Sequence, residues 1–399
     1  MASGRDDVGV PDLVVPDLSP EALAAVTAQI AGYAAEYDRT GAIPVRGLEA
    51  AHQAGLLTAT VAARYGGPGL GALETVRILV ALGEGDASVG LLVANNLIVH
   101  QRQATADSWP VDYYADLLRR SVQGPALANA VRSEPELGSP SRGGLPRTTA
   151  SRHPDGGWVL NGRKTYATGG AALSYHVVWV VADEPGGDPR RPRVGQVIVP
   201  AELPGISWSD SWDHLGLRAS NTHDVEYVDV RLPADAFIEI PRGPDGVYRD
   251  PSTMTTLANF AYSAIYVGVA RAARSAFTRF ARERVPAALG RPIATTERIQ
   301  AAAGEIDAQI AQAETLLFGV QLRAEAGETA HLPQLPLVKV QIARSAIAAV
   351  ETAVAVLGNP GLTRHLPFER LLRDVLCVRV HPPQEDTALL AAGRRLLGQ

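Results

Sequence analysis

The sequence has a single cysteine, little net charge and no long apolar run, and each shortage excludes a class of protein. Cys377 alone among 399 residues excludes an internal disulfide and a cysteine-based zinc site, and we expect no metal centre. A formal net charge of −5 gives no basis for binding nucleic acid or an anionic membrane. No apolar run reaches membrane-spanning length, and the N-terminus lacks a basic segment followed by an apolar one. We therefore expect a soluble cytoplasmic protein.

The order of residue patterns predicts three domains, because 399 residues are too many for one compact core. Helical periodicity dominates residues 1–124, although 1–19 carry charge and proline without periodicity and are expected to form a loose arm. Short β-rich runs in 125–236 predict a small antiparallel barrel or sandwich. Long helical patterns in 237–399 predict a four-helix bundle. The fold class is α+β multidomain, with an all-β domain between two helical ones.

Residues 357–397 combine two helix breaks with a charged helix. The sequence GNPG at 358–361 ends a long helical pattern, and the block 368–375 begins a new helix with charges along one face. The second break, HPP at 381–383, precedes two acids at 385 and 386, where the first turn of a last helix favours acids. We interpret the charged side chains of the first helix as a structural ion-pair network: Glu369, Arg370, Arg373 and Asp374.

The nearly apolar run 87–101 predicts a buried helix that carries Asn95, Asn96 and His100. Buried polar groups need hydrogen-bond partners. We expect the two asparagines to bind backbone groups. For His100, a structural position at the domain edge and a functional role stay equally open.

Four motifs, in the order of the predicted domains, resemble the acyl-CoA dehydrogenase family. They are WVLNGRKTYATGG at 158–170, HLGLRASNT at 214–222 with DVRLP at 229–233, FARER at 280–284 with GRPI at 290–293, and the C-terminal stretch 357–397. The resemblance covers about residues 20–397. It implies that family's fold, in which a helical domain, a β domain and a C-terminal helical bundle follow one another, and a homotetramer.

The resemblance also implies a flavin and the residues that contact it. Tyr166 and Thr168 on the turn of the first motif, and Asn129 and Ser133 in the loop NAVRSEP, would contact the isoalloxazine ring; otherwise they are ordinary strand and loop residues. Arg284 would reach a flavin phosphate across a subunit boundary; otherwise it is a solvated helix charge. Nothing resembles a Rossmann glycine fingerprint or a P-loop, so the flavin would lie between domains. The motifs favour FAD over FMN.

The chemistry of an acyl-CoA dehydrogenase requires a carboxylate to remove a proton, and both positions where that family carries it lack an acid here. One position aligns with Pro382, and the other falls in TLANF at 256–260. Glu385 and Asp386 lie nearby, but a helical turn of about 5.4 Å is far for a reaction sensitive to shifts of about 1 Å.

A branch of the same fold has replaced that carboxylate, and the sequence resembles it: the two-component flavin monooxygenases. These enzymes take reduced flavin from a separate NAD(P)H-dependent reductase, bind O2 and form a C4a-(hydro)peroxyflavin that hydroxylates aromatic carbon, nitrogen or sulfur of a small organic substrate. The resemblance makes His381 and His100 the candidate catalytic residues, because histidine can give and take a proton near neutral pH. Asn259 is a weaker candidate for substrate contact. Two alternatives stay open, an acyl-CoA dehydrogenase with a displaced carboxylate and a non-catalytic flavin- or acyl-binding protein.

Overall fold

The computed structural model describes residues 13–137, 144–184, 186, 188, 191–244, 246–249, 256–330 and 332–399, without the side chains of 256–259. It confirms the predicted architecture of an N-terminal helical domain, a middle sheet domain and a C-terminal helical domain. The N-terminal and C-terminal helical domains share one continuous hydrophobic core.

The N-terminal domain is helical, as predicted. Its helices are α1 Pro20–Thr40, α2 Val45–Gln53, α3 Ala72–Gly85, α4 Ala87–Ala106 and α5 Val111–Gln123. Local residues explain where helix α1 begins, because the Ser19 hydroxyl accepts a hydrogen bond from Ala22 N and Pro20 takes the first helical position. Residues 13–19 of the predicted loose arm are described, and part of this segment packs against the domain. Leu13 is buried in a cluster of apolar side chains with Trp109 and Tyr114, so hydrophobic burial holds this segment against the domain.

The middle domain is a single open, mixed sheet, which corrects the predicted antiparallel barrel. Its strands are β1 Leu127–Val131, β2 Thr149–Arg152, β3 Trp158–Ala167, β4 Leu173–Asp183, β5 Val194–Pro200, β6 Ile206–Ser209, β7 His223–Leu232 and β8 Phe237–Glu239. The strand order is β6-β7-β3-β2-β4-β5-β8, with β1 also paired to β4. Strands β1 and β2 both run parallel to β4, along successive halves of one edge. Strand alternation in the sequence gives faces but not strand direction, so the parallel pairs were not predictable from it.

The boundary predicted at residue 236 falls inside this sheet. Strand β8 pairs with β5, and Ile240 N donates to Val194 O, so the sheet continues beyond the boundary.

The C-terminal domain contains α6 Thr256–Glu283, α7 Glu297–Glu325, α8 Leu335–Leu357, the short α9 Asn359–Leu362, α10 Phe368–Leu376 and α11 Glu385–Leu396. Helix α8 ends at the predicted break, where Gly358 has φ +66°. By length and composition the run Leu332–Leu357 could cross a membrane, but half of its most apolar window is buried inside the protein. Helix α8 packs against α6 and α7, as the core helix of a bundle does.

Two glycines let α3 and α6 touch backbone to backbone. A Cβ at Gly83 would lie 2.2 Å from Ile265 O, and a Cβ at Gly268 would lie 2.2 Å from Val80 O. Any larger residue at either position would push the helices apart. This contact brings the start of α6 beside α4 and so joins the first domain to the third.

Helix α10 ties all three domains together through charge. The Arg373 guanidinium binds both carboxylate oxygens of Asp38 in α1, at 2.9 and 2.6 Å, and donates to Leu215 O in the β domain. Asp374 accepts a 2.7 Å hydrogen bond from Leu217 N, and burial raises the pKa of its carboxyl to about 7 although Arg370 lies nearby. The predicted ion-pair network is therefore present, and it reaches beyond its own helix.

Replacement of Arg373 by methionine should lower the free energy of unfolding by about 2–3 kcal/mol, since it leaves two largely buried carboxylates, Asp38 and Glu369, without their cation. Chemical denaturation followed by circular dichroism measures this change. Arg323→Met is the matched control, because Arg323 pairs with Glu328 on the surface and should change stability by no more than about 0.5 kcal/mol. Equal effects of the two variants would contradict the role of the α10 junction.

Candidate active site

His381 lies in the turn between α10 and α11, between two tyrosines of α6. Its ring stacks on the Tyr262 ring, with centroids 4.6 Å apart and planes 7° from parallel. Its Nε2 is 2.7 Å from the hydroxyl oxygen of Tyr266. Tyr262 and Tyr266 are four residues apart and share one face of α6, which is why both reach one imidazole.

The hydrogen bond with Tyr266 determines which nitrogen of His381 carries the proton. Tyr266 is buried, and its hydroxyl has no second hydrogen-bond acceptor among the described residues. We therefore assign Tyr266 Oη as the donor and Nε2 as the acceptor, which leaves the imidazole proton on Nδ1. Nδ1 has no partner in the described part of the chain. The site thus presents one N–H donor on a ring held from both sides.

The electrostatics of the site keep His381 neutral. Burial, reinforced by the Lys339 ammonium, lowers the pKa of His381 to about 3. Burial also raises the pKa of Tyr266 well above its usual value. At neutral pH the pair is a neutral phenol and a neutral imidazole, so His381 is a hydrogen-bond donor through Nδ1 and a weak base.

Helix α4 contributes Asn95 to the site around His381. The Tyr262 hydroxyl donates a 2.7 Å hydrogen bond to Asn95 Oδ1. The prediction that Asn95 binds backbone is therefore wrong, since its carbonyl oxygen accepts from a side chain 167 residues away. The prediction is confirmed for Asn96, which donates to Leu57 O and accepts from Ala128 N.

The two acids closest to His381 in sequence are turned away from it. Glu385 pairs with Arg344 of α8, and Asp386 accepts from Thr387 N at its own helix start. Both residues are exposed. Among the described residues, no carboxylate shares the hydrogen bonds or ring contacts of His381. Asn259 belongs to α6, but its side chain lies outside the described residues, so its predicted substrate contact stays a prediction.

His100 occupies a different environment from His381. It is fully buried, and its Nδ1 is 3.0 Å from the Tyr114 hydroxyl of α5. Burial lowers its pKa to about 4, and its Nε2 has no partner among the described residues. His100 and Asn95 are five residues apart on α4, which puts their side chains about 140° apart around the helix. The structure therefore does not bring the two predicted catalytic histidines together.

The residues predicted to contact flavin from the β domain meet at one turn. The Asn129 side-chain amide donates to Thr168 O at 2.9 Å, and Thr168 Oγ1 accepts from Thr222 Oγ1 at 3.1 Å. Tyr166 stands on the same turn with φ +57°, and the residue is 65% exposed. Asn129 and Thr168 are brought together, while Tyr166 points to the surface of the single chain.

Ser133 is held next to this turn by a buried ion pair. Its carbonyl accepts from Thr165 N at 2.9 Å. The next residue, Glu134, binds Lys164 Nζ at 2.8 Å in a fully buried pair, and its carboxylate also accepts from Thr148. No sequence pattern indicated this pair, which anchors the loop to β3.

Arg284 follows the last residue of α6 and is exposed. It forms no ion pair with the described residues of its own chain. Its predicted contact with a phosphate of a neighbouring subunit stays a prediction.

Sequence reasoning missed Tyr262, Tyr266 and Lys339. The two tyrosines carried a detectable signal, because aromatic side chains four apart in an alanine-rich helix point the same way. Lys339 carried none, because its contacts are to the backbone of a segment about 42 residues away.

Comparison with known proteins shows relatives along nearly the whole chain. Residues 18–106, 130–230 and 251–396 match, in turn, the N-terminal, middle and C-terminal domains of acyl-CoA dehydrogenase. The putative acyl-CoA dehydrogenase YdbM of Bacillus subtilis is 30% identical over 358 residues, which cover 89% of this chain and 90% of YdbM. The L-evernosamine nitrososynthase of a Micromonospora species is 30% identical over 374 residues, which cover 88% of this chain and 83% of that enzyme.

A solved structure is similar over the same extent. KijD3 in complex with FMN and dTDP-3-amino-2,3,6-trideoxy-4-keto-3-methyl-D-glucose superposes with a TM-score of 0.77 and 25% identity, over 96% of this chain and 95% of that one.

The His381–Tyr266 pair predicts that His381 shows no protonation step between pH 5 and 9, because burial and Lys339 place its pKa near 3. Histidine-selective ¹⁵N NMR measures both the titration and the tautomer, and His381→Gln assigns the signal. Tyr266→Phe should change the tautomer signature of His381, since Nε2 then loses its donor. Free histidine in the same buffer is the reference. A His381 signal that titrates near pH 6.5 would contradict this geometry.

Proposed function

The chain belongs to the acyl-CoA dehydrogenase family, and on that basis we propose that it is a flavin-dependent monooxygenase of this fold rather than a dehydrogenase. It uses reduced flavin from a separate reductase, and O2, to oxidise the nitrogen of a small amine. The proposal rests chiefly on one observation. The turn where a dehydrogenase needs a carboxylate carries His381, a neutral N–H donor fixed by two tyrosines.

The backbone and side chains of the turn around Thr168 support a flavin site there. Three of the five described non-glycine residues with positive φ lie in two segments here: Tyr166 at +57°, Leu217 at +53° and Asn221 at +46°. Gly169 N donates to Ser220 O and joins the two segments. Such backbone is uncommon and concentrates at functional sites. An exposed aromatic ring and hydroxyl groups on this turn suit a flat, heteroaromatic ligand with polar edges.

The residues that would hold the flavin are Asn129, Ser133, Tyr166 and Thr168, with Arg284 from a neighbouring subunit. When bound, reduced flavin supplies the two electrons that activate O2. The balance is that one oxygen atom is inserted to give a hydroxylamine from a primary amine, and the other leaves as water. Because KijD3 is solved with FMN, both FMN and FAD are candidates, and the sequence motifs favour FAD.

In this reaction the protein's own groups would stabilise the developing negative charge and orient the imidazole of His381. Nδ1–H of His381 would be available to donate a hydrogen bond to an oxygen that gains negative charge in the reaction. Tyr266 holds the imidazole in the tautomer that makes this possible. Its raised pKa opposes transfer of its own proton, so the pair is a fixed donor. Tyr262 and Asn95 form the adjoining wall and help to exclude water.

Nitrogen is the favoured target because of the relatives. The similar enzymes include an L-evernosamine nitrososynthase, and KijD3 is solved with a dTDP-linked amino sugar. Both names indicate an amine substrate for those proteins, and a site in which no described carboxylate contacts His381 suits an amine that reacts as its free base.

We also propose a cytoplasmic homotetramer. The single chain exposes apolar side chains on α11 and just after it, as a subunit surface would: Leu389, Leu390, Leu396 and Leu397. Light scattering should give four copies of the 42.1 kDa chain. Leu390→Asp should shift the protein to smaller species, and a monomeric wild type would contradict the proposal.

The main alternative is an acyl-CoA dehydrogenase with a displaced carboxylate, for which Glu385 and Asp386 are the candidates. The ion pair of Glu385 with Arg344 argues against it. Because YdbM, a putative acyl-CoA dehydrogenase, is similar to this chain, the experiment below also tests for dehydrogenase activity.

The test supplies chemically reduced FMN or FAD anaerobically, then oxygenated buffer with a dTDP-linked amino sugar as the amine probe. We expect a product heavier by one oxygen atom, detected by mass spectrometry, and a kinetic phase between the reduced and oxidised flavin spectra. Anaerobic reduction of bound oxidised flavin by an acyl-CoA would instead support the dehydrogenase. Return to oxidised flavin without an oxygenated product, together with no reduction by an acyl-CoA, would support a binding protein.

Two substitutions separate the candidates. His381→Gln should lower kcat by about 10²-fold or more, as loss of a single oxyanion donor does. Glu385→Gln, the matched control, should leave kcat within about twofold, because Glu385 is exposed and paired away from the site. The reverse order of effects would overturn the assignment of His381.

A further inference from the structure

The chain contains only two lysines among its 37 basic residues, and both are buried. Lys164 is fully buried, and Lys339 is 4% exposed. Lysine is normally among the most exposed residue types, whereas here arginine supplies the surface cations. Both lysines therefore require a specific explanation.

Lys164 is explained by its partner. Its ammonium lies 2.8 Å from Glu134, and the same carboxylate binds Thr148, so the buried charge is neutralised and hydrogen-bonded. A buried ion pair of this kind is a familiar arrangement.

Lys339 has no such partner. Among the described residues it forms no ion pair, and its ammonium donates instead to the carbonyl oxygens of His381 and of Pro383, the latter at 2.9 Å. Burial lowers the pKa of its ammonium to about 8. Burial of an ammonium without an ion-pair partner lowers the stability of the fold. What Lys339 contributes in return is its two hydrogen bonds to the turn.

These bonds join α8 to the turn that carries His381. The ammonium holds the backbone on both sides of Pro382, while Tyr266 and Tyr262 of α6 hold the imidazole ring. Two helices thus determine where the ring lies, one through the backbone and one through the side chain.

We propose that Lys339 is a positioning residue that fixes the His381 turn against α8 and so aims the imidazole; its importance for catalysis rests on the proposed function. The ammonium acts through His381 and contacts no reacting atom. Its charge also favours the neutral imidazole that the donor role requires.

The charged groups around Lys339 do not perform this task. The adjacent pocket is lined by Arg344, Glu351, Arg379 and Glu385. Arg344 pairs with Glu385 at the exposed rim and makes no bond to the turn. Arg344→Met is therefore a matched control, because it removes a cation from the same helix and the same pocket.

The first experiment uses the flavin-free full chain. Lysine labelled at Cε should give two NMR signals, one for each lysine, and Lys339→Met assigns them. In wild type the Lys339 signal should titrate well below pH 10.5, near pH 8. Histidine-selective ¹⁵N NMR of Lys339→Met should then show the pKa of His381 moved upward, because the neighbouring positive charge is gone.

Amide hydrogen exchange measures the turn itself. Peptides that cover residues 381–386 should exchange faster in Lys339→Met than in wild type, and Arg344→Met should leave both this exchange and the His381 pKa unchanged. A His381 pKa and an exchange rate unaffected by Lys339→Met would overturn the proposal. Should Lys339→Met fail to fold, Lys339→Arg keeps it testable, because a retained cation should preserve the low pKa of His381.

The second experiment asks whether positioning matters for turnover. With reduced flavin, O2 and the amine probe, Lys339→Met should lower kcat by about 10- to 100-fold with a smaller change in KM, as misplacement of a catalytic group by about 1 Å does. Lys339→Arg should recover part of that loss. Unchanged kcat in Lys339→Met would overturn the positioning role in catalysis.

The two experiments fail independently. If Lys339→Met changes the pKa of His381 in a chain without oxygenase activity, the positioning role of Lys339 stands and the proposed function is rejected. If the chain is active but the pKa of His381 does not respond to Lys339→Met, the proposed function stands and the positioning role is rejected.

Discussion

The charged junction on α10 is the interaction on which the rest of the structure depends. Arg373 and Asp374 bind α1 and the β-domain segment around Leu217 from a single helix, within a largely dry environment. Gly216 passes so close to this helix that a Cβ there would lie 2.4 Å from Arg373 O. Because His381 follows α10 by only a few residues, the junction that joins the domains also places the imidazole.

The candidate site is built from three elements that are distant in sequence and that two kinds of contact bring together. Glycine contacts between α3 and α6 bring Tyr262 beside Asn95, and the α10 junction brings His381 to the same place. The resulting group is neutral, aromatic and without a carboxylate among the described residues. A dehydrogenase needs a strong base here, and the neutral His381 is a weak one. The oxygenase that we propose needs instead a directed hydrogen-bond donor, the role we assign to His381 Nδ1–H.

The two lysines of the chain differ from its arginines in where they lie. Arginine, which stays charged, forms the surface and interdomain pairs, while the two lysines are buried. Lys164 holds the loop of Ser133, and Lys339 holds the turn of His381. Each supports a segment to which the sequence motifs had assigned a function.

The sequence by itself determined the helices, their breaks and the family, because periodicity, caps and the glycine break at 358 are local properties of the chain. It also singled out His381, through the absence of an acid at a position where the family motif expects one. Only the tertiary structure decided the direction of β1 and β2, the separation of His100 from His381 and the protonation of the site. These depend on pairs such as Tyr266 with His381, which are 115 residues apart, and periodicity indicates the face a residue occupies but not the partner it meets there.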